Sequence, residues 1–253
     1  KLSLAIAWVP AGDNGDVADD PVFMLAGGPG QSARDSYPQI AGAFAEVLKH
    51  RNVVLVDQRG TGDSNLLSCD GGDENDEDAS TAAAAAMAER CIAELSKKAD
   101  LRFYTTTDAI ADLEDVRKAL GVAQLNLIGV SYGTRVAQQY AMRHPASTRS
   151  IVLDSVVPNA LGLGNIFARN LDDALALQFA QCTENPACKA RVGEPRVELS
   201  KLMATLRTNP PTVRYRDAGT GEWREDVLKP ESIAGMVRMY AYMPLIATIL
   251  PVL

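Results

Sequence analysis

The chain has 253 residues, 47% hydrophobic and 23% charged, which fits one large folded domain or one domain with an insertion and excludes a mainly disordered chain. Asp plus Glu number 32 against 25 Lys plus Arg, a net charge of −7, so the chain repels phosphate backbones and no nucleic-acid partner is expected. The longest apolar tract, Met243–Leu253, is too short to span a bilayer and contains Pro251, so no membrane span is expected either.

In chain order, Leu2–Val9 alternates like an edge or antiparallel strand. Val22–Ala26 is a short apolar run that enters the glycine-rich segment Gly27–Gly30. Tyr37–His50 carries a helical pattern, and Asn52–Asp57 is a buried strand by its Val and Leu content. Asp108–Leu120 is predicted helical, with Thr105–Thr107 offering a cap and Gly121 a stop. Leu125–Val130 is an apolar strand, Tyr132–His144 a helix and Ser150–Asp154 a strand. This alternation predicts an α/β fold, a mostly parallel sheet with helices on both faces.

Two segments interrupt the rhythm. Thr61–Tyr104 holds an acidic tract (Asp70, Asp73, Glu74, Asp76, Glu77, Asp78) and an Ala-rich helix ending near Lys98. A calcium loop starting at Asp73 would need Gly and Glu where Asp78 and Ala84 stand, so the tract reads as a solvated loop and no metal is expected. After Pro158 the strands stop. Asn165–Gln181, Arg196–Arg207 and Glu231–Tyr242 look helical around a turn-rich Asp217–Glu222, which gives a core at 1–158 and a mainly helical domain at 159–253.

The four cysteines fall as two local pairs. Cys69–Cys91 with Cys182–Cys188 is the simplest of three connectivities, and none of the four sits in a C-x-x-C pattern. Disulfides imply a periplasmic or secreted protein; four free thiols would fit a cytosolic one. The chain begins at Lys1, without Met, and is read as processed or trimmed.

Two glycine-rich turns compete to define the function. Gly28-x-Gly30-x-x-Ala33 fits a dinucleotide fingerprint, with Asp57 placed for a ribose and Arg59 for a 2′-phosphate. Against it, Pro29 lacks an N–H, and a helix starting only near Tyr37 is too late to hold phosphate. The second turn, Gly129-Val130-Ser131-Tyr132-Gly133, is G-x-S-x-G between a strand and a helix, the setting of a nucleophile elbow. It leaves the Ser131 hydroxyl at a helix N-terminus, where backbone N–H groups favour an oxyanion. In that architecture the loop after an earlier strand gives a second oxyanion donor, and Gly27-Gly28-Pro29-Gly30 is such a loop. One reading thus explains both turns.

Three motifs stand in one order: Ala26-Gly27-Gly28-Pro29-Gly30-Gln31-Ser32, then Asp57-Gln58-Arg59-Gly60-Thr61-Gly62-Asp63-Ser64, then Gly129–Gly133. With them the chain resembles the α/β-hydrolase serine peptidases of the prolyl iminopeptidase and tripeptidyl aminopeptidase group, above all the exported tripeptidyl-aminopeptidase-like branch. The likeness covers roughly residues 1–158 and is weak over 159–253, where that group carries an inserted helical cap. It implies Ser131 as nucleophile, backbone N–H groups of Gly28 and Tyr132 as the oxyanion hole, Gly27, Gly30, Gly129 and Gly133 as supporting glycines, and Asp57–Ser64 as a loop beside the site. It also implies a peptide substrate with a free N-terminus and no cofactor. Iminopeptidases usually carry His where Ala26 stands, which argues against strict proline specificity.

A serine nucleophile needs a base held by an acid. His50 precedes the strand Asn52–Asp57, and His144 lies roughly 20 Å along the helix from Ser131 at its rise per residue, so neither reaches the nucleophile. Asp154 ends the next strand but has no histidine to orient. In the resembled group the acid and base follow the cap, so the chain is expected to be an N-terminal piece, incomplete at its C-terminus, with Asp and His on the missing portion. Glu222, Glu225 and Glu231 are available to meet a substrate ammonium but are not assigned. The expected activity is aminopeptidase. The alternatives are a carboxylesterase or lipase on the same fold, and a non-enzymatic dinucleotide-binding or inactive scaffold protein.

Overall fold

The structure is a computed structural model that describes residues 2–12, 16–69, 81–217 and 219–243. The acidic tract Asp70–Asp78 lies outside the described residues. The chain forms two compact units, Lys1–Leu161 and Gly162–Leu253.

The first unit is built on a five-stranded sheet in the order β1-β3-β2-β4-β5. Its strands are β1 (Ile6–Val9), β2 (Val22–Leu25), β3 (Val53–Val56), β4 (Leu125–Val130) and β5 (Thr148–Asp154). Only β1 is antiparallel, pairing with β3 from Ile6↔Val56 to Val9↔Val53; β2 pairs in parallel with β3 and β4, and β4 with β5. All four residues of β2 and of β3 are buried, as expected for central parallel strands covered on both faces.

The pleat sends alternate side chains to opposite layers. Phe23, Leu25, Val54 and Val56 meet Ile110, Leu113 and Val116 of α3 (Thr106–Ala119) and Val136, Ala137 and Tyr140 of α4 (Tyr132–Arg143). Val22, Met24, Val53 and Leu55 meet Ala33 and Tyr37 of α1 (Ala33–Ile40) and Phe44 beyond it. Each of the Val, Leu, Ile, Met and Phe side chains contributes about 1.5–3 kcal/mol by leaving water. Helix α3 forms where its apolar residues recur at helical spacing; Thr105 and Asp108 close a capping box at its start, and Gly121, at φ +70°, follows its end.

The Tyr37–His50 helix is a correction. Helix α1 starts earlier, at Ala33, with the Ser32 side chain accepting from Asp35 N, and gives way after Ile40 to 3-10 turns at Ala41–Phe44 and Val47–Lys49. Ser32 is a strong helix-starting residue, while Pro38 and Gly42 work against one long helix.

A further helix, α2 (Thr81–Leu95), follows the acidic tract, and the disulfide Cys69–Cys91 joins it to the segment before that tract, with Cα atoms 5.6 Å apart. Strand β5 is the outer strand on its side of the sheet and leaves Ile151 39% and Val152 55% exposed.

The second unit contains α5 (Phe167–Glu184), α6 (Pro186–Val192), α7 (Pro195–Thr208), a hairpin of β6 (Thr212–Arg216) and β7 (Trp223–Val227), and α8 (Pro230–Tyr242). Three of these helices open on proline, whose fixed φ suits a first helical position. A small core gathers Leu175, Phe179 and Val237, and Cys182–Cys188 ties α5 to α6. The hairpin departs from the expectation that strands stop after Pro158: its strands are mostly exposed and charged, so they carry little apolar alternation.

Candidate active site

Strand β4 runs into α4 through one residue, Ser131, at φ 53° and ψ −120°. A serine rarely occupies this left-handed region, and the strain is held by surrounding bonds. Ser131 N donates to Asp154 O at 2.9 Å, and Thr134 Oγ1 donates to Ser131 O at 2.6 Å. Thr134, itself fully buried, accepts from Val157 N at 2.8 Å.

The glycines of the turn are dictated by contact. A side chain at Gly129 would begin 2.5 Å from the Gly133 carbonyl oxygen. One at Gly133 would collide with the Leu25 carbonyl and lie 2.8 Å from that of Ala26. The elbow is therefore pressed against the end of β2, where Gly27–Gly30 begins.

A serine at a helix N-cap ordinarily folds its hydroxyl back onto the helix. The Ser131 side chain makes no such cap bond. The first N–H groups of a helix lack intrahelical partners, and Tyr132 and Gly133 stand at that end of α4. Tyr132, the first residue of α4, is buried, and its phenol shares a 2.6 Å hydrogen bond with Thr106 Oγ1. This tie between α3 and the elbow had no signal in the sequence.

The two loops beside the elbow are bolted together by Asp57, which is fully buried. Its Oδ1 accepts from the Ser32 hydroxyl at 2.8 Å and Arg34 N at 3.2 Å, and its Oδ2 from Asp63 N at 3.2 Å. The Ser64 hydroxyl donates to Asp57 O at 2.7 Å and accepts from Ala5 N at 2.8 Å. Arg59 grips Asp112 with Nε and Nη2 at 2.6 and 2.5 Å. The two residues that a dinucleotide reading would give to ribose and 2′-phosphate are thus spent inside the protein. The late helix start, by contrast, no longer counts against that reading, since α1 begins at Ala33.

The structure places both histidines away from Ser131. His144 follows the last residue of α4, the far end from the elbow, its ring 5.0 Å from that of Tyr140. His50 precedes β3, at the opposite end of the parallel strands from Ser131, and lines a cavity with Val22, Asn126 and Ser150. Asp154 pairs in register with Val130 and its carbonyl oxygen accepts from Ser131 N, but among the described residues its carboxylate meets only the neighbouring Ser155 hydroxyl, at 3.1 Å. Glu222, Glu225 and Glu231 are exposed on the second unit. A cavity of about 520 Å³ beside the Asp57–Ser64 loop, lined by Arg59, Asp100, Phe103 and Tyr104 among others, does not include Ser131. Among the described residues no cluster of His, Cys, Asp or Glu could hold a metal ion, and no helix is long and apolar enough to cross a membrane.

The alpha/beta hydrolase fold family matches residues 20–243, and the chain belongs to it. Among curated relatives, a putative hydrolase, YuaR, of Escherichia coli K12 is 30% identical over 54% of this chain and 28% of its own length. A proline iminopeptidase of Xylella fastidiosa is 31% identical over 54% of this chain and 32% of its own. The serine protease Hip1 of Mycobacterium tuberculosis is 34% identical over 39% of this chain and 19% of its own. The chain spans about a third or less of the length of these relatives. Among solved structures, a marine microorganism esterase aligns over 94% of this chain and 72% of its own, at 18% identity and a TM-score of 0.42.

Proposed function

We propose that this α/β hydrolase is a serine peptidase of the aminopeptidase type, acting from free N-termini through an acyl-enzyme on Ser131. The observation that carries the reading is the Ser131 hydroxyl: it sits at a positive-φ elbow and does not cap its own helix. Ser131 Oγ attacks the scissile carbonyl carbon and gives up its proton to a base. The backbone N–H groups of Tyr132 and Gly28 receive the oxyanion, the amine leaves with a proton, and water releases the acyl group by the reverse use of the same groups. Names among the relatives, proline iminopeptidase and serine protease, favour amide over ester substrates.

Neither His50 nor His144 is placed to be the base. In this reading the base and its orienting acid come from residues of the intact protein outside these 253. The exposed apolar side chains of β5 support that assignment, since they suit a strand covered by further structure rather than a wet edge. The two disulfides support an exported protein.

The test uses the intact protein. A fluorophosphonate should label Ser131, and Ser131→Ala should abolish turnover; labelling elsewhere or an active Ala variant sinks the serine mechanism. Peptides with free N-termini should then exceed their acetylated forms in kcat/KM by a factor of about 100, since an ammonium-reading site loses roughly 2.7 kcal/mol with the charge. Equal rates, or turnover of esters alone, would replace the aminopeptidase by an esterase.

A further inference from the structure

Gln31 has a locked backbone and a free side chain. Its N–H donates to Gly27 O at 3.4 Å, and the next residue, Ser32, both caps α1 and bonds Asp57. The carboxamide is exposed and has no hydrogen-bond partner among the described residues. It folds back over the loop toward the elbow. A methyl group placed on Gly27 would lie 2.9 Å from Gln31 Oε1, 3.1 Å from Ser131 Cβ and 3.3 Å from the Val130 carbonyl oxygen. Gln31 Oε1 and Ser131 Cβ are therefore at most about 6 Å apart, on either side of the space left by the missing side chain of Gly27.

The oxygen of a carbonyl carbon bonded to Ser131 Oγ lies about 3 Å from Ser131 Cβ, which brings it within reach of a donor at the Gln31 amide position on the Gly27 side of the serine. A half-turn about the last side-chain bond exchanges Oε1 for Nε2 in the same place, so a donor costs no repacking. We infer that Gln31 is a catalytic residue whose side-chain N–H hydrogen-bonds the oxyanion, beside the backbone donors. The inference rests on Ser131 being the nucleophile. It also gives Gly27 a chemical reason: any side chain there would wedge between the amide and the serine.

A donor aimed at the oxyanion acts on the chemical step of every acyl substrate, because the carbonyl oxygen is common to all. In the intact protein, Gln31→Leu removes the donor at nearly constant volume, and Gln31→Glu puts an anion in its place. Both variants change one exposed side chain, so the melting temperature should stay within about 1 °C of the parent. With an aminoacyl p-nitroanilide and with p-nitrophenyl acetate, Gln31→Leu should lower kcat on the order of 100-fold with little change in KM, and Gln31→Glu should lower it further. A change in kcat below about threefold in both variants overturns the inference. So does a rise in KM confined to the anilide, since that marks contact with a more distant part of the substrate. Ser131→Ala runs alongside: if it keeps full activity, the serine reading itself fails, whatever Gln31 does.

Discussion

The Ser32 hydroxyl donates to the buried carboxylate of Asp57 at 2.8 Å, joining the loop after β2 to the end of β3. The same carboxylate takes Arg34 N and Asp63 N, so both loops hang on one side chain. Asp57→Asn turns an amide N–H toward donors and should cost about 2–3 kcal/mol. Ser32→Ala loses the bond and the helix cap, about 1–2 kcal/mol. Chemical denaturation should rank Asp57→Asn below Ser32→Ala, and Asp57→Asn should also lose most of its kcat. Equal stability to the parent would show that the bracket does not hold the loops.

Gly133→Ala should be more damaging than any surface glycine change. Its new methyl meets main-chain carbonyls of Leu25 and Ala26, which cannot step aside without moving β2. Forced overpacking of this kind costs about 1–3 kcal/mol or more. Gly42→Ala, with open space around it and a backbone that accepts a side chain, is the control. A Gly133→Ala variant that melts with the parent would contradict the packing of the elbow on β2.

Glu114 links α3 to α4 inside the first unit. Hydrogen bonds from Arg117, at 2.7 and 2.8 Å, hold its carboxyl down at about 2 against the opposing pull of burial, and the Tyr140 hydroxyl adds another at 2.7 Å. A carboxyl held below its ordinary value stabilises the fold above that value, 4.5, and loses the contribution as pH falls toward about 2. The full effect is on the order of 3 kcal/mol. Unfolding free energies measured from pH 7 down to pH 3 should fall less steeply for Glu114→Gln than for the parent. Parallel curves would remove Glu114 from the acid response.

His50→Gln and His144→Gln should each leave kcat/KM of the intact protein within about twofold, since His50 precedes β3 at the opposite end of the parallel strands from Ser131 and His144 follows the far end of α4. A loss of a thousandfold or more in either would make that histidine the base and move the catalytic centre.

The disulfides close short loops, with sequence separations of 22 and 6. Removing Cys69–Cys91 by paired alanines should cost about 3 kcal/mol and removing Cys182–Cys188 about 2 kcal/mol by loop entropy. Non-reducing peptide mapping should recover both cross-linked pairs from protein made in an oxidising compartment; four alkylated thiols would contradict the structure.

The elbow was legible because everything that announces it is local: an apolar strand, one serine between two glycines, and a helix with no loop between. Strands β2, β3 and β4 were legible for the same reason, since burial on both faces leaves an uninterrupted apolar run. The hairpin of β6 and β7 was not, because exposed strands carry no such pattern. The start of α1 was misplaced because Ser32 acts as a cap while bound to Asp57, 25 residues away in sequence. The sequence by itself determined the fold class and the strand–Ser131–helix turn on which the proposed nucleophile sits. Only the tertiary structure decided why Gly133 must be glycine, since its neighbours are the carbonyls of Leu25 and Ala26 on another strand, and that Gln31 faces Ser131 across Gly27. Those relations arise from strands far apart in the chain lying about 5 Å apart in the sheet, a proximity that no local residue pattern encodes.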